Sequence, residues 1–145
     1  MLDSFSNKKV LVVGDSILDI TISSEALGLS LESPTLKAQR TEKQVSFGGC
    51  ANVVKNMLEL GASCTFITLL GFDDYKSYYD KWEHKNLTLI PVLEGRMNTV
   101  KERYWVSRAG TEYKVLQLNQ GDSYELSKKI RDPNNKHILS PHSYI

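Results

Sequence analysis

The chain has 145 residues, 41% of them hydrophobic and 24% charged, which suits one soluble globular domain with a core of its own. Its net charge of +1 gives no broad electrostatic case for nucleic acid or an anionic membrane as partner. No apolar run reaches the length of a membrane span, and the opening stretch MLDSFSNKKV lacks the apolar centre of a secretion signal. Two cysteines, Cys50 and Cys64, fit a reduced, cytoplasmic setting better than a disulfide framework.

In chain order, the first signal is KKVLVVGD, a continuous apolar run from Val10 to Val13 closed by Gly14. Continuity without alternation predicts a strand buried on both faces, as in a parallel sheet. SILDITISS follows, with Ile17, Leu18, Ile20 and Ile22 interrupted by Asp19. Residues 24–44 read as polar and irregular, although LKAQRTEKQVSF is expected to lie as an exposed strand beside Ile20 to Ser23. In VSFGGCANVVKNMLELGA, Cys50, Val53, Val54, Met57 and Leu60 recur at helical spacing, with Asn52, Lys55, Asn56 and Glu59 opposite. Gly61 is placed as the helix stop. Cys50 falls near the helix start, where a thiolate can be stabilised; the plainer reading is a small buried side chain.

CTFITLLG reads as the next buried strand. DDYKSYYDKWEHKN reads as a helix capped by Asp73 or Asp74. LTLIPVLE reads as a third strand, with Pro91 arguing against an interior place in the sheet. Strands alternating with helices predict an α/β domain with a mainly parallel sheet. NTVKERYWVSRAGTEYKVLQL then changes period: Val100, Glu102, Tyr104 and Val106 alternate with Thr99, Lys101, Arg103 and Trp105, and RAGTE supplies a glycine turn. This is a β-hairpin with mixed faces, set beside the main sheet. The last stretch is polar until Ile138 and Leu139, where HIL is expected as a short strand.

The two glycines of FGGCAN pose the functional question. A phosphate-binding P-loop needs a longer glycine spacing and a lysine followed by Ser or Thr, and neither is present. The dinucleotide fingerprint needs three spaced glycines after the first strand, and VVGDSIL has one. A sugar seat fits better. Asp19 is expected just past the C-terminal end of the first strand, where open α/β sheets bind ligands. A carboxylate there accepts hydrogen bonds from neighbouring hydroxyls. Paired glycines let backbone amides approach a polyol, and Asn52 offers both a donor and an acceptor. Each residue also has a plain structural reading: a solvated carboxylate, a tight turn into a helix, and a polar helix face.

These residues together resemble the ribokinase-like, or phosphofructokinase-B, carbohydrate kinases. The resemblance rests on VLVVGDSILD, FGGCANVVKNMLELGA and FITLLGFDD, and on the spacing from Asn52 through Gly61 to Gly71. It covers roughly residues 8–122. Within the family, GDSILD, Ser33-Pro34, GGCANV and the hairpin sequence are most similar to heptose-7-phosphate kinases, the kinase domain of the bifunctional enzyme that makes ADP-activated heptose for lipopolysaccharide. The resemblance implies part of a three-layer α/β sandwich with a β-lid. The core falls at about residues 8–19, 46–97 and 119–145, and the lid at about 20–45 and 98–118. It implies that Asp19, Gly48, Gly49 and Asn52 hold the sugar, and that Lys101 and Arg103, on the lid, meet a sugar phosphate; a solvated strand face is the other reading of that pair. Cys50 and Val54 depart from the family pattern and place bulk near the site.

The family's catalytic Gly-Ala-Gly-Asp motif does not occur in these residues. NQGD at 119–122 lacks the preceding glycine, NMLE at 56–59 lies in the wrong helix to be the magnesium motif, and Gly14-Asp15 is the turn after the first strand. The chain alone is therefore expected to bind no cofactor and to be inactive as a kinase, whereas ATP and Mg2+ are implied for the full-length family. Three functions follow: a module that binds a sugar or sugar phosphate, a split kinase completed by a separate C-terminal half, or a non-catalytic dimerisation module. Self-association through the lid or an open sheet edge is expected.

Overall fold

A computed structural model describes residue 5, residues 8–93 and residues 95–121. The elements are β1 (Lys9–Val13), β2 (Ser16–Leu29), β3 (Leu36–Gly49), α1 (Cys50–Glu59), β4 (Ser63–Leu70), α2 (Lys76–Asp80), β5 (Leu87–Leu93), β6 (Val100–Arg108) and β7 (Thr111–Gln120). They form two sheets: a parallel three-stranded sheet in the order β1-β4-β5, and a four-stranded sheet in the order β3-β2-β6-β7. The expected α/β class with a parallel sheet and a β-lid is what the described residues form. The HIL stretch lies outside them.

The parallel sheet is built around β4, whose apolar run is buried from Phe66 to Leu70. β1 is only half covered: Val10 and Val12 pack under α1, but Leu11 is 56% and Val13 41% exposed. The strand expected to be buried on both faces is therefore an outer strand of its sheet, and among the described residues the face that carries Leu11 and Val13 is open. Pro91 sits in β5, the other outer strand, where the missing N–H spoils no interior ladder.

α1 begins directly where β3 ends. Its buried stripe is Ala51, Val54 and Leu58, while Val53 and Leu60 are exposed. The expected stripe through Cys50, Val53, Val54, Met57 and Leu60 is thus rotated, because helical spacing alone does not say which edge of a broad apolar face meets the sheet. Gly61 does stop the helix, with φ at 91°. The Gly61 amide bonds the Leu58 carbonyl at 2.9 Å and the Ala62 amide bonds that of Met57 at 3.0 Å, the Schellman pattern.

Residues 24–44, expected to be irregular, are mostly strand. β2 and β3 pair antiparallel from Ser16 opposite Gly49 to Leu29 opposite Leu36, with two register shifts. Tertiary pairing overrides the weak polar pattern here, since β2 also gains β6 as a parallel neighbour. The expected core–lid boundary at residue 20 falls inside β2, which is one continuous strand. The hairpin β6–β7 turns at Ala109 and Gly110, both at positive φ, the two-residue turn that matches strand twist.

Two apolar clusters hold the sheets together. Ala51, Val54, Leu58, Ala62, Cys64 and Phe66 join α1 to the parallel sheet. Leu18, Ile20, Ile22, Leu70, Tyr79 and Val100 join the lid to the core. Phe47, Trp82 and Leu89 pack against both clusters, and Phe47 stacks on Trp82 at 4.2 Å between centroids. Each fully buried aliphatic side chain stabilises the fold by roughly 1.5–3 kcal/mol.

The helix expected over DDYKSYYDKWEHKN shortens to the five residues of α2. Asp73 is not its cap. Its carboxylate accepts from the Tyr75 amide at 3.1 Å, and from the Asn98 amide at 2.7 Å and side-chain amide at 2.5 Å. The Asn98 carbonyl oxygen in turn accepts from the Gly71 amide at 3.1 Å. Asn98 is buried, so removing its side chain strands the buried Gly71 amide and takes one of three donors from the Asp73 carboxylate. Asn98→Ala is expected to destabilise the fold by roughly 1–3 kcal/mol, read as a lower urea midpoint at unchanged slope.

Burial pushes the Tyr79 phenol up from 10.0 to about 12, with Asp73 adding to the shift and Ser16 opposing it. A raised folded value means that its stabilisation is complete below pH 10 and is lost as pH climbs to about 12. Stability should fall by about 2–3 kcal/mol over that range. Urea titrations of the wild type and Tyr79→Phe check this, because the variant should lose that part of the slope.

Candidate functional site

The period-2 geometry of the lid separates its two faces. Leu18, Ile20 and Ile22 turn toward the core, so Ile17, Asp19, Thr21 and Ser23 turn away. Register then sets the neighbours. Asp19 lies opposite Ser46 on β3 and Lys101 on β6, and Thr21 lies opposite Arg103. On β7, Asn119 faces Lys101 and Gln117 faces Arg103. The outer face of the lid is thus a polar field built from four strands.

Within it, Arg103 Nη1 donates to Asp19 Oδ1 at 2.5 Å, with the two side chains 30% and 26% exposed. At this partial exposure the pair adds on the order of 1 kcal/mol or less to stability. Its weight is in orientation. One carboxylate oxygen is engaged, and the remaining guanidinium donors have no partner among the described residues. Lys101 forms no ion pair among the described residues. Gln117 donates to Asn119 at 3.1 Å, which fixes the polar ladder beside these cations.

The glycines belong to the same place. A Cβ on Gly48 would collide with Oδ2 of Asp19, so the bare backbone of β3 is what leaves room for the carboxylate. Gly49, at φ 59°, is the residue that converts β3 into α1, and a Cβ there would stand 2.7 Å from the Asp15 carbonyl oxygen. Asn52 follows in the first turn of α1 and is exposed. The structure therefore brings Asp19, Gly48 and Arg103 into contact, sets Lys101 opposite Asp19, and places Gly49 and Asn52 along the turn that continues from them. Asp19 itself sits within β2 rather than just past the end of β1. The Asp19 carboxylate is thus carried by a lid strand, because the chain re-enters a strand two residues after Gly14.

Cys50 does not present a thiolate. Burial, and then the negative charge of Asp15, push its thiol up. Its sulfur packs against the backbone of Gly14, where a Cβ would collide with it.

A cavity of about 280 Å³ opens beside this field, lined by Asp15, Ile17, Thr99, Lys101, Asn119 and Gly121 among others. Asp15, Thr99 and Asn119 were not singled out from the sequence. The alternation of Leu116 and Leu118 with Gln117 and Asn119 carried a signal for a polar face, but only strand register puts that face against Lys101. Among the described residues no three His, Cys, Asp or Glu side chains gather as a metal site. No helix among the described residues is long and apolar enough to cross a membrane.

No family model matches the chain. Among curated proteins, the bifunctional protein HldE of Rhodopseudomonas palustris (strain BisA53) is 37% identical over 102 residues, covering 67% of this chain and 20% of that protein. HldE of Campylobacter concisus (strain 13826) is 34% identical over 102 residues, covering 68% of this chain and 22% of that protein. The chain spans about a fifth of the length of these relatives. Among solved structures, ribokinase from Thermotoga maritima is 27% identical at a TM-score of 0.50, covering 88% of this chain and 41% of that one. A carbohydrate kinase from Agrobacterium tumefaciens shares the fold at a TM-score of 0.51 and 18% identity, covering 78% of this chain and 35% of that one. By fold and by sequence, the chain is homologous to the ribokinase-like carbohydrate kinases, of which it spans a part.

Proposed function

We propose that these residues are the sugar-holding and lid portion of a carbohydrate kinase, and that the outer face of the lid receives a sugar or sugar phosphate. The observation that supports this best is the contact of Asp19 with both Arg103 and the bare backbone of Gly48. Asp19 accepts hydrogen bonds from adjacent sugar hydroxyls through the oxygen that Arg103 leaves open. Gly49 and Asn52 close the hydroxyl end of the site at the start of α1. Lys101 and Arg103 supply positive charge for a phosphate on the far end, and the likeness to HldE makes a heptose phosphate the first substrate to test.

In this reading ATP, held with Mg2+, supplies the phosphoryl group. The residues present bind and orient the acceptor and shield it from water. Deprotonating the acceptor hydroxyl and stabilising the moving charge need a base and an anion hole, and the Gly-Ala-Gly-Asp sequence that would provide them is not among these residues. These residues by themselves therefore act as a binding module, and catalysis needs groups supplied from outside them, by a second polypeptide in the split-kinase reading. In calorimetric titration the chain should bind heptose or hexose phosphates, and Asp19→Ala should weaken binding at least about tenfold. A coupled ATP-consumption assay of the pure chain should show no turnover. Equal affinity in Asp19→Ala would overturn the sugar seat, and clear turnover would overturn the assignment as a binding module.

A second reading, a dimerisation module, is favoured by one observation. Tyr113, Leu116 and Leu118 lie along β7, an edge strand of the lid among the described residues, and are exposed. An open edge with apolar side chains invites a second copy. Sedimentation should show self-association that rises with concentration; a monodisperse monomer at high concentration would be decisive against it.

A further inference from the structure

One residue of the lid breaks its own pattern. Along the core-facing side of β6 the order is Val100, Glu102, Tyr104, Val106. Glu102 lies in register with fully buried Ile20 on β2 and with Leu118 on β7. Glu102 is partly buried, with Ile20 covered on one side and Leu118 half exposed on the other, and the part of a carboxylate that is removed from water needs hydrogen-bond partners. Each oxygen has one: the Tyr75 hydroxyl donates to Oε1 at 3.2 Å and the Tyr104 hydroxyl donates to Oε2 at 2.8 Å. Both rings pack against the cluster that joins lid to core. Tyr104 belongs to the lid. Tyr75 belongs to the turn before α2, and its own amide is tied to Asp73 at 3.1 Å. The bond from Tyr75 to Glu102 therefore crosses from core to lid. The next residue, Arg103, points to the opposite face and meets Asp19.

We propose that Glu102 is a positioning residue: gripped between Tyr75 and Tyr104, it clamps β6 to the core turn and so sets where Arg103 meets Asp19. Both phenols donate and an ionised carboxylate only accepts, so the three groups are matched without a leftover donor. The backbone carries the effect, since successive residues of one strand share a pleat but face opposite ways. A shift of Glu102 along the core surface moves Arg103 by the same amount. The consequence for ligand binding rests on the sugar-seat reading, whereas the clamp does not.

Hydrogen exchange on the 145-residue chain tests it, with Tyr75→Phe, Glu102→Leu and Glu102→Gln. In Tyr75→Phe and Glu102→Leu, amides of β6 and of its partner stretch in β2 should exchange about tenfold faster or more, while those of β4 keep their wild-type rate. Glu102→Gln should rescue part of the protection, because its amide accepts from one phenol and donates to the other. Its tyrosines should also ionise at lower pH than in the wild type. Glu102 holds the Tyr104 phenol up chiefly by its hydrogen bond, and it adds to the effect of burial at Tyr75. A role in packing alone would not move that titration.

Equal acceleration in β4 and β6, or unchanged exchange of β6 in both disrupting variants, overturns the clamp. Should Glu102→Leu fail to fold, Tyr75→Phe, which removes one hydroxyl, decides. Titration with a heptose or hexose phosphate separates the two claims. Local acceleration in Tyr75→Phe with no binding by the wild type upholds the clamp and sinks the sugar seat. Binding by the wild type with no local acceleration does the reverse.

Discussion

The structure turns on a junction of two residues. At Gly48 and Gly49 a lid strand ends, a helix starts, and a carboxylate from the neighbouring strand occupies the space where a side chain would stand. A Cβ at Gly48 would strike Asp19, and one at Gly49 would press on the Asp15 backbone from a left-handed conformation. No other residue type satisfies both conditions. Because of this junction, the long strand of the lid and the helix that covers the parallel sheet are one continuous piece of chain. The polar face of the lid and the start of α1 are thereby fixed relative to each other.

Energetically, lid and core are not independent. Phe47, one residue before the glycines, stacks on Trp82 and packs against both apolar clusters. The Asp73–Asn98–Gly71 network ties the end of β4 to the start of the hairpin. The ion pair of Asp19 and Arg103 contributes little to stability at its exposure. It is a matter of placement: the fold is stabilised by burial on the inner face of the lid, which leaves the outer face free to carry charge. This division is what a strand offers, since alternate residues answer to different demands.

Leu11 and Val13 on β1, and Tyr113, Leu116 and Leu118 on β7, are apolar side chains without cover among the described residues. The homologous sugar kinases are longer than this chain. In a parallel sheet both faces are ordinarily covered, so a half-covered β1 is consistent with a fold shared with more polypeptide or with a second copy.

Much was legible in the sequence where local chemistry decides. The continuous apolar runs marked β1, β4 and β5, Pro91 marked an outer strand, Gly61 stopped α1, and Ala-Gly turned the hairpin. Asp19, the glycine pair and the alternation in the hairpin were visible as separate features, and the structure brings Asp19, Gly48 and Arg103 into contact. Three things were not legible. Residues 24–44 are mostly polar, their leucines Leu27, Leu29, Leu31 and Leu36 are exposed, and they become strand through the pairing of β2 with β3 and β6. The buried stripe of α1 was rotated, since several edges of an apolar helix face are open until a sheet selects one. The meeting of Arg103 with Asp19 spans 84 positions and depends on strand register, which no local pattern encodes. The sequence by itself determined which groups are available and where the backbone must bend; only the tertiary structure decided which of them share a face, because register is set by the burial of their neighbours.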